Sequence, residues 1–425
     1  MVGSFGINAL SVADLSAHWV TCWAASAQGA YPIGSVIAQP DLTLAIADAR
    51  LGLQDQSFRM IIRPGLWSHR FRIRISNAFG DRTLALRDIR LALHWGGGAC
   101  WPDTSVALPD IAIGAGEALW THPVDLPWLT DQALAWMDGR ALVFSAFVQG
   151  ASGPITWHAK SMATSYLSDP GDQVAAHDES ELRFPHSTTS TFFIDAVDAW
   201  LPASAHAVVA LGDSLTDGTA TTLNGHDRWT DAMQRRCIAA GHHQVAVVNA
   251  GIGGNQVAGP SPSLGPWRGG PAAAQRISRD VLSLSGVQAV MWLQGINDFS
   301  ENGKAEVATV IEAMRGAVAL MQSKGLRVIG ATIPSALGST RPGHGGTEQD
   351  ARRTAFNHEV RKGALFEEFA DVDAALSDET TGRLRSQFNG DSTLGEASDG
   401  VHPNRAGHAA IAQRFAGVYF RQAVH

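Results

Sequence analysis

Apolar and polar residues alternate over short segments in the first two hundred residues, and turn signals separate these segments. The alternation is found over residues 71–75, 86–91, 142–148 and 190–194. A period of two is typical of β-strands with one buried face, and no long helical periodicity interrupts them. The pattern predicts that residues 1–202 form an all-β sandwich or jelly roll.

The pattern changes after Pro202, where continuous apolar runs alternate with longer segments of helical spacing. The runs cover residues 208–211, 245–248, 289–293 and 328–331, with a weaker one at 369–372. Helical periodicity is clearest over residues 305–324 and 350–368. Apolar strands separated by helices are typical of a parallel sheet covered on both faces. We therefore predict a second domain, of the α/β class, over residues 203–425.

The charge balance narrows the classes of partner. The chain has 425 residues, with 32 Lys and Arg against 40 Asp and Glu, which gives a net charge of −8. This mild acidic excess argues against binding to nucleic-acid phosphates and against a basic membrane-surface helix. No apolar run reaches the ~18 residues of a membrane span. We expect no nucleic-acid partner and no integral membrane segment, and the oligomeric state is left open.

The cysteines and the N-terminus give information on the cellular compartment of the protein. Cys22, Cys100 and Cys237 are odd in number and widely spaced, so they predict neither a disulfide framework nor a zinc knuckle. The first fifteen residues contain no Lys or Arg and no clear apolar core, unlike a secretory signal. As written, the sequence favours a cytoplasmic protein. A secreted or periplasmic protein remains the alternative if a signal was removed.

Small and polar residues collect directly after the predicted strands of the second domain. They occupy residues 212–218, 249–255 and 294–298, and a similar segment lies at 398–403. Open parallel sheets bind ligands beyond the carboxyl ends of their strands, and right-handed crossovers bring the first three loops to one edge. We expect the functional site at this edge, with the last segment folded back over it.

Together the four segments resemble the sequence blocks of the SGNH, or GDSL-type, serine hydrolases. The blocks are Gly-Asp-Ser-Leu at 212–215, Asn-x-Gly-x-x-Gly at 249–254, Gly-x-Asn-Asp at 295–298 and Asp-x-x-His at 399–402. The second block departs from many members, since Gly253 stands where they carry serine. The resemblance covers residues 205–420 and implies a flavodoxin-like, doubly wound parallel sheet. Residues 72–80 also resemble the β-rich region that precedes this domain in some bacterial members.

The resemblance implies a catalytic triad. Ser214 is the expected nucleophile, His402 the base and later the acid, and Asp399 the carboxylate that orients the imidazole. A serine hydroxyl is a weak nucleophile and needs a neutral imidazole within hydrogen-bond reach. His408 is a rival base, but it has no carboxylate three residues before it. We interpret His408 as a surface or packing residue.

The implied oxyanion hole consists of the backbone N–H groups of Ser214 and Gly254 and the side-chain amide of Asn297. Donors held in place in this way stabilise the negative charge that develops during acyl transfer. Glycine at position 254 would let the backbone approach the carbonyl oxygen closely.

Three further residues are candidates for the substrate pocket. Asp213 and Asp298 flank the matched blocks, although loop capping is the interpretation we favour for both. Trp267 lies in a loop rich in proline and glycine after the second block, where it could wall the acyl pocket.

The predicted function is hydrolysis of carboxylic esters through an acyl-enzyme on Ser214, with no cofactor and no metal. The substrate would be a small-molecule, glycan or lipid ester. Acyl transfer to another acceptor and carbohydrate deacetylation are alternatives on the same fold. A non-enzymatic binding protein is least favoured, because the matched catalytic residues are all present. Thr216 stands where the nucleophile elbow of an α/β-hydrolase requires glycine, which argues against that fold.

Overall fold

The computed structural model describes residues 16–34, 41–174, 180–259, 268–390 and 398–421. We call residues 1–202 the strand-rich half and residues 203–425 the α/β half. The secondary structure of the chain confirms that the pattern changes after Pro202. The elements of the strand-rich half are β1 (Ala17–Ala24), β2 (Gly29–Ala30), β3 (Gln54–Ile62), β4 (Arg70–Ser76), β5 (Leu84–Gly96), β6 (Ala99–Cys100), β7 (Val106–Ala107), β8 (Ile111–Ile113), β9 (Ala118–Trp120), β10 (Val124–Asp125), α1 (Asp131–Leu134), β11 (Leu142–Ala151), β12 (Thr156–His158), β13 (Ser165–Pro170), β14 (His186–Thr188), β15 (Thr191–Phe192) and β16 (Ile194–Pro202).

The strands of this half form two main antiparallel sheets and one small sheet. One main sheet has the order β1-β16-β4-β10 with β9 beside β4, and the other has the order β14-β13-β3-β11-β5-β6 with β7 and β8 beside β5. The small sheet joins β15, β12 and β2. Apolar side chains of both main sheets belong to one buried cluster, which includes Ile73 on β4 and Phe144 on β11. The strands predicted at 71–75, 86–91 and 142–148 all lie within observed strands.

A parallel sheet forms the centre of the α/β half. Its strands run in the order β18-β17-β19-β20-β21, so the first strand in sequence lies second in the sheet. Four of the five predicted apolar runs lie within strands, whereas the weak run at 369–372 overlaps the shortest strand only at residues 369–370 and then enters the cap and first turn of the next helix. The strands are β17 (His206–Gly212), β18 (Val245–Gly251), β19 (Val287–Leu293), β20 (Arg327–Ala331) and β21 (Glu368–Ala370).

Helices cover both faces of this sheet. Successive residues of a strand point to opposite faces of the sheet. In β17, Val209 accordingly belongs to one buried cluster and Val208 to another. The helices are α2 (Ser214–Asp217), α3 (Trp229–Ala239), α4 (Ala273–Ile277), which a π-helical turn (Ser278–Leu282) continues, α5 (Ile296–Phe299), α6 (Val307–Ser323), α7 (Thr347–Arg361), α8 (Val372–Leu376) and α9 (Arg405–Tyr419). The first cluster contains residues of α4, α6 and α7, and the second contains residues of α3, α8 and α9.

The two halves share a buried interface. The first apolar cluster continues from the α/β half into the main sheets of the strand-rich half. At the end of β1, Ala25 makes a parallel bridge with Asn249 on β18. Nearby, the backbone N–H of Thr21 donates to the Ser285 carbonyl at 2.9 Å. The halves are therefore packed together, and the sequence block at 249–254 lies close to a strand of the first half.

The basic face of β4 is covered by the α/β half. Alternation of apolar and basic residues is typical of a strand with one solvated face, yet Arg74 is only 6% exposed. Its guanidinium lies 2.6 Å from the carboxylate of Asp195 and donates to Ser283 Oγ at 2.6 Å. Arg72 similarly binds Asp198 and reaches Ser285 Oγ at 3.1 Å. The basic side chains of this strand therefore form hydrogen bonds across the interface between the halves.

Within the described ranges, no helix is both long and apolar enough to cross a membrane.

Candidate active site

Ser214 begins α2 directly after β17. Asp213 is the N-cap of this short helix, and its carboxylate accepts a hydrogen bond from the Leu215 N–H at 3.0 Å. The loop passes so close to β18 that a Cβ at Gly251 would clash with the backbone of Asp217. The side-chain amide of Asn249 donates to the Thr216 carbonyl at 2.7 Å and fixes the same loop from β18. The small residues of the second block therefore hold Ser214 at the carboxyl edge of the sheet.

The structure brings Ser214, His402 and Asp399 together in hydrogen-bond contact. Nε2 of His402 lies 2.8 Å from Ser214 Oγ, and Nδ1 lies 2.6 Å from Asp399 Oδ2. The other carboxylate oxygen of Asp399 accepts the backbone N–H groups of Val401 and His402, both at 2.9 Å. Because Asp399 accepts, Nδ1 carries the hydrogen and Nε2 of the neutral ring can accept the serine proton.

Burial sets the protonation state of this pair. Burial of the imidazole lowers the pKa of His402 below its ordinary value of 6.5, although the charge and hydrogen bond of Asp399 act to raise it. The positive charges of Arg341 and Lys160 add to the lowering. Burial alone would raise the pKa of Asp399, but its hydrogen bonds from His402 hold it well below the usual range. A neutral imidazole beside an ionised carboxylate is therefore the state favoured at neutral pH.

The three expected oxyanion donors lie around the same cavity. Gly254 has φ +79°, a left-handed conformation that favours glycine. Within the described part of the chain, the N–H groups of Ser214 and Gly254 donate to no acceptor. The Asn297 amide donates one hydrogen to the Asn255 carbonyl at 3.1 Å, which orients the group and leaves its second hydrogen for another acceptor. Three hydrogen-bond donors therefore border the same cavity.

A buried arginine that sequence reasoning missed supports these loops. Arg276 is 1% exposed and donates to the carbonyl groups of Gly212 and Ala250 at the ends of β17 and β18. It also pairs with Asp280 at 2.9 Å and donates to Asn255 Oδ1 at 3.1 Å. The helical spacing of Arg276 and Asp280 was a readable signal, but their contacts with the strand ends depend on the tertiary fold.

A cavity of about 220 Å³ is lined by Ser214, His402, Gly254 and Asn297. Its wall also contains Gly34 and Lys160, so both halves of the chain contribute. The volume lies below the usual range of drug-sized sites, about 300–1,000 Å³. The described residues thus enclose space for a small substrate group next to Ser214.

His158 connects the strand-rich half to the loop of Gly253 and Gly254, the expected oxyanion loop. His158 was not identified from the sequence. Its Nδ1 lies 2.8 Å from the Ser26 carbonyl, and its Nε2 lies 3.1 Å from both the Lys160 carbonyl and Asp217 Oδ1. Burial opposes a charged ring, but the Asp217 carboxylate and the carbonyl groups of Ser26 and Lys160 together outweigh it, so the pKa of His158 is raised. The second oxygen of Asp217 accepts the Gly253 N–H at 2.8 Å. A buried ion pair therefore holds the residue next to Gly254.

The other candidates from the sequence lie elsewhere. Asp213 and Asp298 are buried and do not line the cavity. Asp298 accepts the backbone N–H groups of Val257 and Ala258, while burial raises the pKa of each acid to about 7. These contacts fit the loop-capping interpretation. Trp267 lies outside the described residues.

His408 is buried and is not among the described residues that line the cavity beside Ser214. Its Nδ1 accepts the backbone N–H of Trp229 at 3.1 Å, and burial lowers its pKa to about 4. This placement agrees with a packing role. Among the described residues, no group of three His, Cys, Asp or Glu side chains is arranged to hold a metal ion.

Comparison with known proteins shows which protein family the chain resembles. Residues 210–410 match the model of the GDSL-like lipase/acylhydrolase family. No curated protein sequence matches the chain. A lipase/acylhydrolase structure from Enterococcus faecalis is similar at 23% identity, with a TM-score of 0.38 over 50% of this chain and 96% of that one.

Two further solved structures are similar over the same share of the chain. A carbohydrate acetylesterase from Sinorhizobium meliloti has 15% identity and a TM-score of 0.38, with 50% of this chain and 97% of that one covered. An inhibitor-bound aryl esterase from M. smegmatis has 15% identity and a TM-score of 0.40, with the same coverage of 50% and 97%. By the family match and the arrangement of its sequence blocks, the region 210–410 of this chain belongs to the GDSL-like lipase/acylhydrolase family.

Proposed function

We propose that the protein is a serine esterase that hydrolyses carboxylic esters through an acyl-enzyme on Ser214. The observation that carries this proposal is the continuous hydrogen-bond chain from Ser214 Oγ through His402 to Asp399, with distances of 2.8 and 2.6 Å. Membership of an acylhydrolase family supports the same reaction class. The cavity beside Ser214 supplies room for the ester.

The reaction follows from the placement of the donors and acceptors. His402 takes the proton of Ser214 as the hydroxyl attacks the ester carbonyl. The negative oxygen of the tetrahedral intermediate is bound by the N–H groups of Ser214 and Gly254 and by the Asn297 amide. Protonated His402 then gives its proton to the leaving alcohol. Water, activated by the same imidazole, attacks the acyl-enzyme and releases the acid.

Fluorophosphonate labelling followed by peptide mapping tests the proposal directly. The label should form a covalent adduct on Ser214 and abolish turnover of p-nitrophenyl acetate, because an activated serine attacks phosphorus as it attacks a carbonyl. The His402→Ala variant should react far more slowly, since its serine lacks a base. Labelling of another serine, with turnover retained, would contradict the mechanism.

Acyl transfer and carbohydrate deacetylation are the remaining candidates on the same site. Product analysis with an added alcohol separates them from simple hydrolysis, because a transferase forms the new ester in preference to the free acid. An acetylated sugar series compared with p-nitrophenyl esters of increasing acyl length separates a deacetylase from a general esterase.

We also propose an architecture with two domains, residues 1–202 and 203–425. Two antiparallel sheets with a common apolar cluster support a β-sandwich accessory domain. The strand order 2-1-3-4-5 of the α/β half supports a flavodoxin-like, doubly wound catalytic domain.

Activity is expected to fall on acidification with a midpoint below about 6.5. His402 acts as a base only when neutral, and burial lowers its pKa, so the active form persists below the pH at which an exposed histidine is protonated. The acid limb of kcat/KM reports this pKa in the free enzyme. Arg341→Gln should move the limb to higher pH, because the Arg341 charge helps to lower the pKa of His402. A midpoint above 7 in the unaltered protein would contradict this assignment.

Asn297→Ala is expected to lower kcat by about 10²–10³-fold with little change in KM. The amide matters most once the carbonyl oxygen is charged, so its loss affects the transition state more than the bound ester. Thermal melting provides the control, since the lost hydrogen bond to Asn255 costs only about 1 kcal/mol. A large fall in Tm with kcat preserved would instead assign Asn297 a purely structural role.

A further inference from the structure

His344 lies in the wall of the cavity beside Ser214, in the loop that connects β20 to α7. A backbone contact ties this loop to the segment that carries the rest of the triad, because the Thr340 N–H donates to the Asp399 carbonyl at 3.0 Å. The loop therefore belongs to the side of the cavity that holds His402.

Gln349 on α7 determines which nitrogen of the His344 ring carries the hydrogen. Its Oε1 accepts the Gly345 N–H at 3.0 Å, and its Nε2 donates to the Ile296 carbonyl at 3.1 Å, so backbone partners assign both ends of the amide. The same Nε2 lies 3.0 Å from His344 Nδ1. An amide nitrogen can only donate, so Nδ1 accepts and carries no hydrogen. The hydrogen of the neutral ring is therefore on Nε2.

The surroundings of His344 hold its ring in this neutral form. Burial lowers the pKa of His344 to about 4, and His402 and Arg341 act in the same direction, whereas Asp399 opposes them. Protonation would also place a hydrogen on Nδ1, directly against the amide hydrogen that Gln349 donates. Near neutral pH, His344 is therefore an uncharged hydrogen-bond donor.

The Nε2 hydrogen of His344 is free for a ligand. Among the described residues, none accepts a hydrogen bond from this nitrogen, whose ring is held through Nδ1 alone. The atom is not enclosed either, since it does not belong to the completely buried polar atoms that lack a partner. A fixed donor in a cavity wall favours a ligand that offers an acceptor and disfavours an analogue that leaves the donor unpaired.

We propose that His344 is a specificity-determining residue that donates its Nε2 hydrogen to an uncharged oxygen in the alcohol part of the ester. The inference rests on the proposed esterase function. The alcohol part is assigned because the base of a serine hydrolase gives its proton to the leaving alcohol, and His344 lies on the side of His402. The preferred substrates are then esters of alcohols that carry a hydroxyl or ether oxygen close to the ester bond.

The test uses pairs of esters in which an ether oxygen replaces one methylene group. Two pairs change the alcohol: methoxyethyl acetate with butyl acetate, and methoxypropyl acetate with pentyl acetate. A third pair, ethyl methoxyacetate with ethyl butyrate, changes the acyl group. For each pair, the ratio of kcat/KM for the ether ester to that for the alkyl ester is divided by the ratio of their alkaline hydrolysis rate constants. This corrected ratio is free of the difference in intrinsic reactivity.

In the unaltered protein, the corrected ratio is expected to be about ten or more for at least one alcohol pair. His344→Leu should lower that ratio about tenfold, because the donor is lost. His344→Gln should keep most of it, since its terminal amide nitrogen can donate from a similar position. His358→Leu, the same change at an exposed histidine of α7, should leave all three ratios unaltered.

A corrected ratio near one for both alcohol pairs in the unaltered protein would overturn the inference, whether or not the variants fold. So would unchanged ratios for these pairs in His344→Leu, since a histidine that only supports the loop slows both members of a pair equally. A fall of equal or greater size in the acyl pair would also overturn it, because the contact would then not belong to the alcohol. Failure of the esterase proposal looks different, because the unaltered protein would then hydrolyse none of the six esters.

Discussion

Ser214→Ala is expected to lower kcat/KM for any ester substrate by about 10⁴-fold or more. Among the described residues that line the cavity, Ser214 supplies the hydroxyl that lies 2.8 Å from His402 Nε2, and members of a triad act as a unit. Its loss removes one hydrogen bond worth about 1 kcal/mol, so Tm should move by no more than about 4 °C. Steady-state kinetics and thermal melting on the same preparation measure both quantities.

A pair of histidine variants provides the matched control. His402→Ala should lose nearly as much activity as Ser214→Ala, because the serine then has no base. His408→Asn should retain activity, since His408 does not line the cavity and the asparagine oxygen can still accept the Trp229 N–H. Near-normal turnover in Ser214→Ala, or equal losses in both histidine variants, would contradict the assignment.

Local sequence patterns predicted the α/β half well, for reasons visible in its strands. The central strand β19 is buried on both faces over residues 289–293, so its continuous apolar run indicates the position of the strand directly. The blocks at the strand ends could be recognised because the backbone requires glycine there: a close approach at Gly251 and a left-handed conformation at Gly254. The open parallel sheet predicted that these blocks meet at one edge, and the resemblance to the SGNH serine hydrolases implied the contacts between Ser214, His402 and Asp399.

Residues that act across the interface could not be identified in this way. His158 and Lys160 lie in the strand-rich half, more than fifty residues before Ser214, and only the packing of the halves brings them to the site. A lone histidine or lysine after a short strand carries no local signal of a distant partner. Likewise, the alternation in β4 predicted the strand, but the cover over Arg74 is a property of the whole fold.

A protein that consists of residues 203–425 alone is expected to be insoluble or to unfold without cooperativity. Removal of the first half exposes the apolar cluster that the halves share and strips Asp217 of its partner His158. The exposed apolar surface and the lost ion pair both destabilise the fragment. Because Asp217 also accepts the Gly253 N–H, any folded fragment should have a displaced oxyanion loop and little esterase activity.

The full chain with a protease site inserted at residues 203–204 is the control for this truncation. These residues are exposed between β16 and β17, so cleavage there cuts the connection without touching the interface. The cleaved protein should stay assembled on a sizing column and keep its kcat/KM, because the shared core and the polar contacts of Arg72 and Arg74 persist. Loss of activity in the fragment, with activity retained in the cleaved protein, would locate the effect in the interface. A soluble fragment with cooperative unfolding and an unchanged substrate profile would show instead that the second half folds and acts alone.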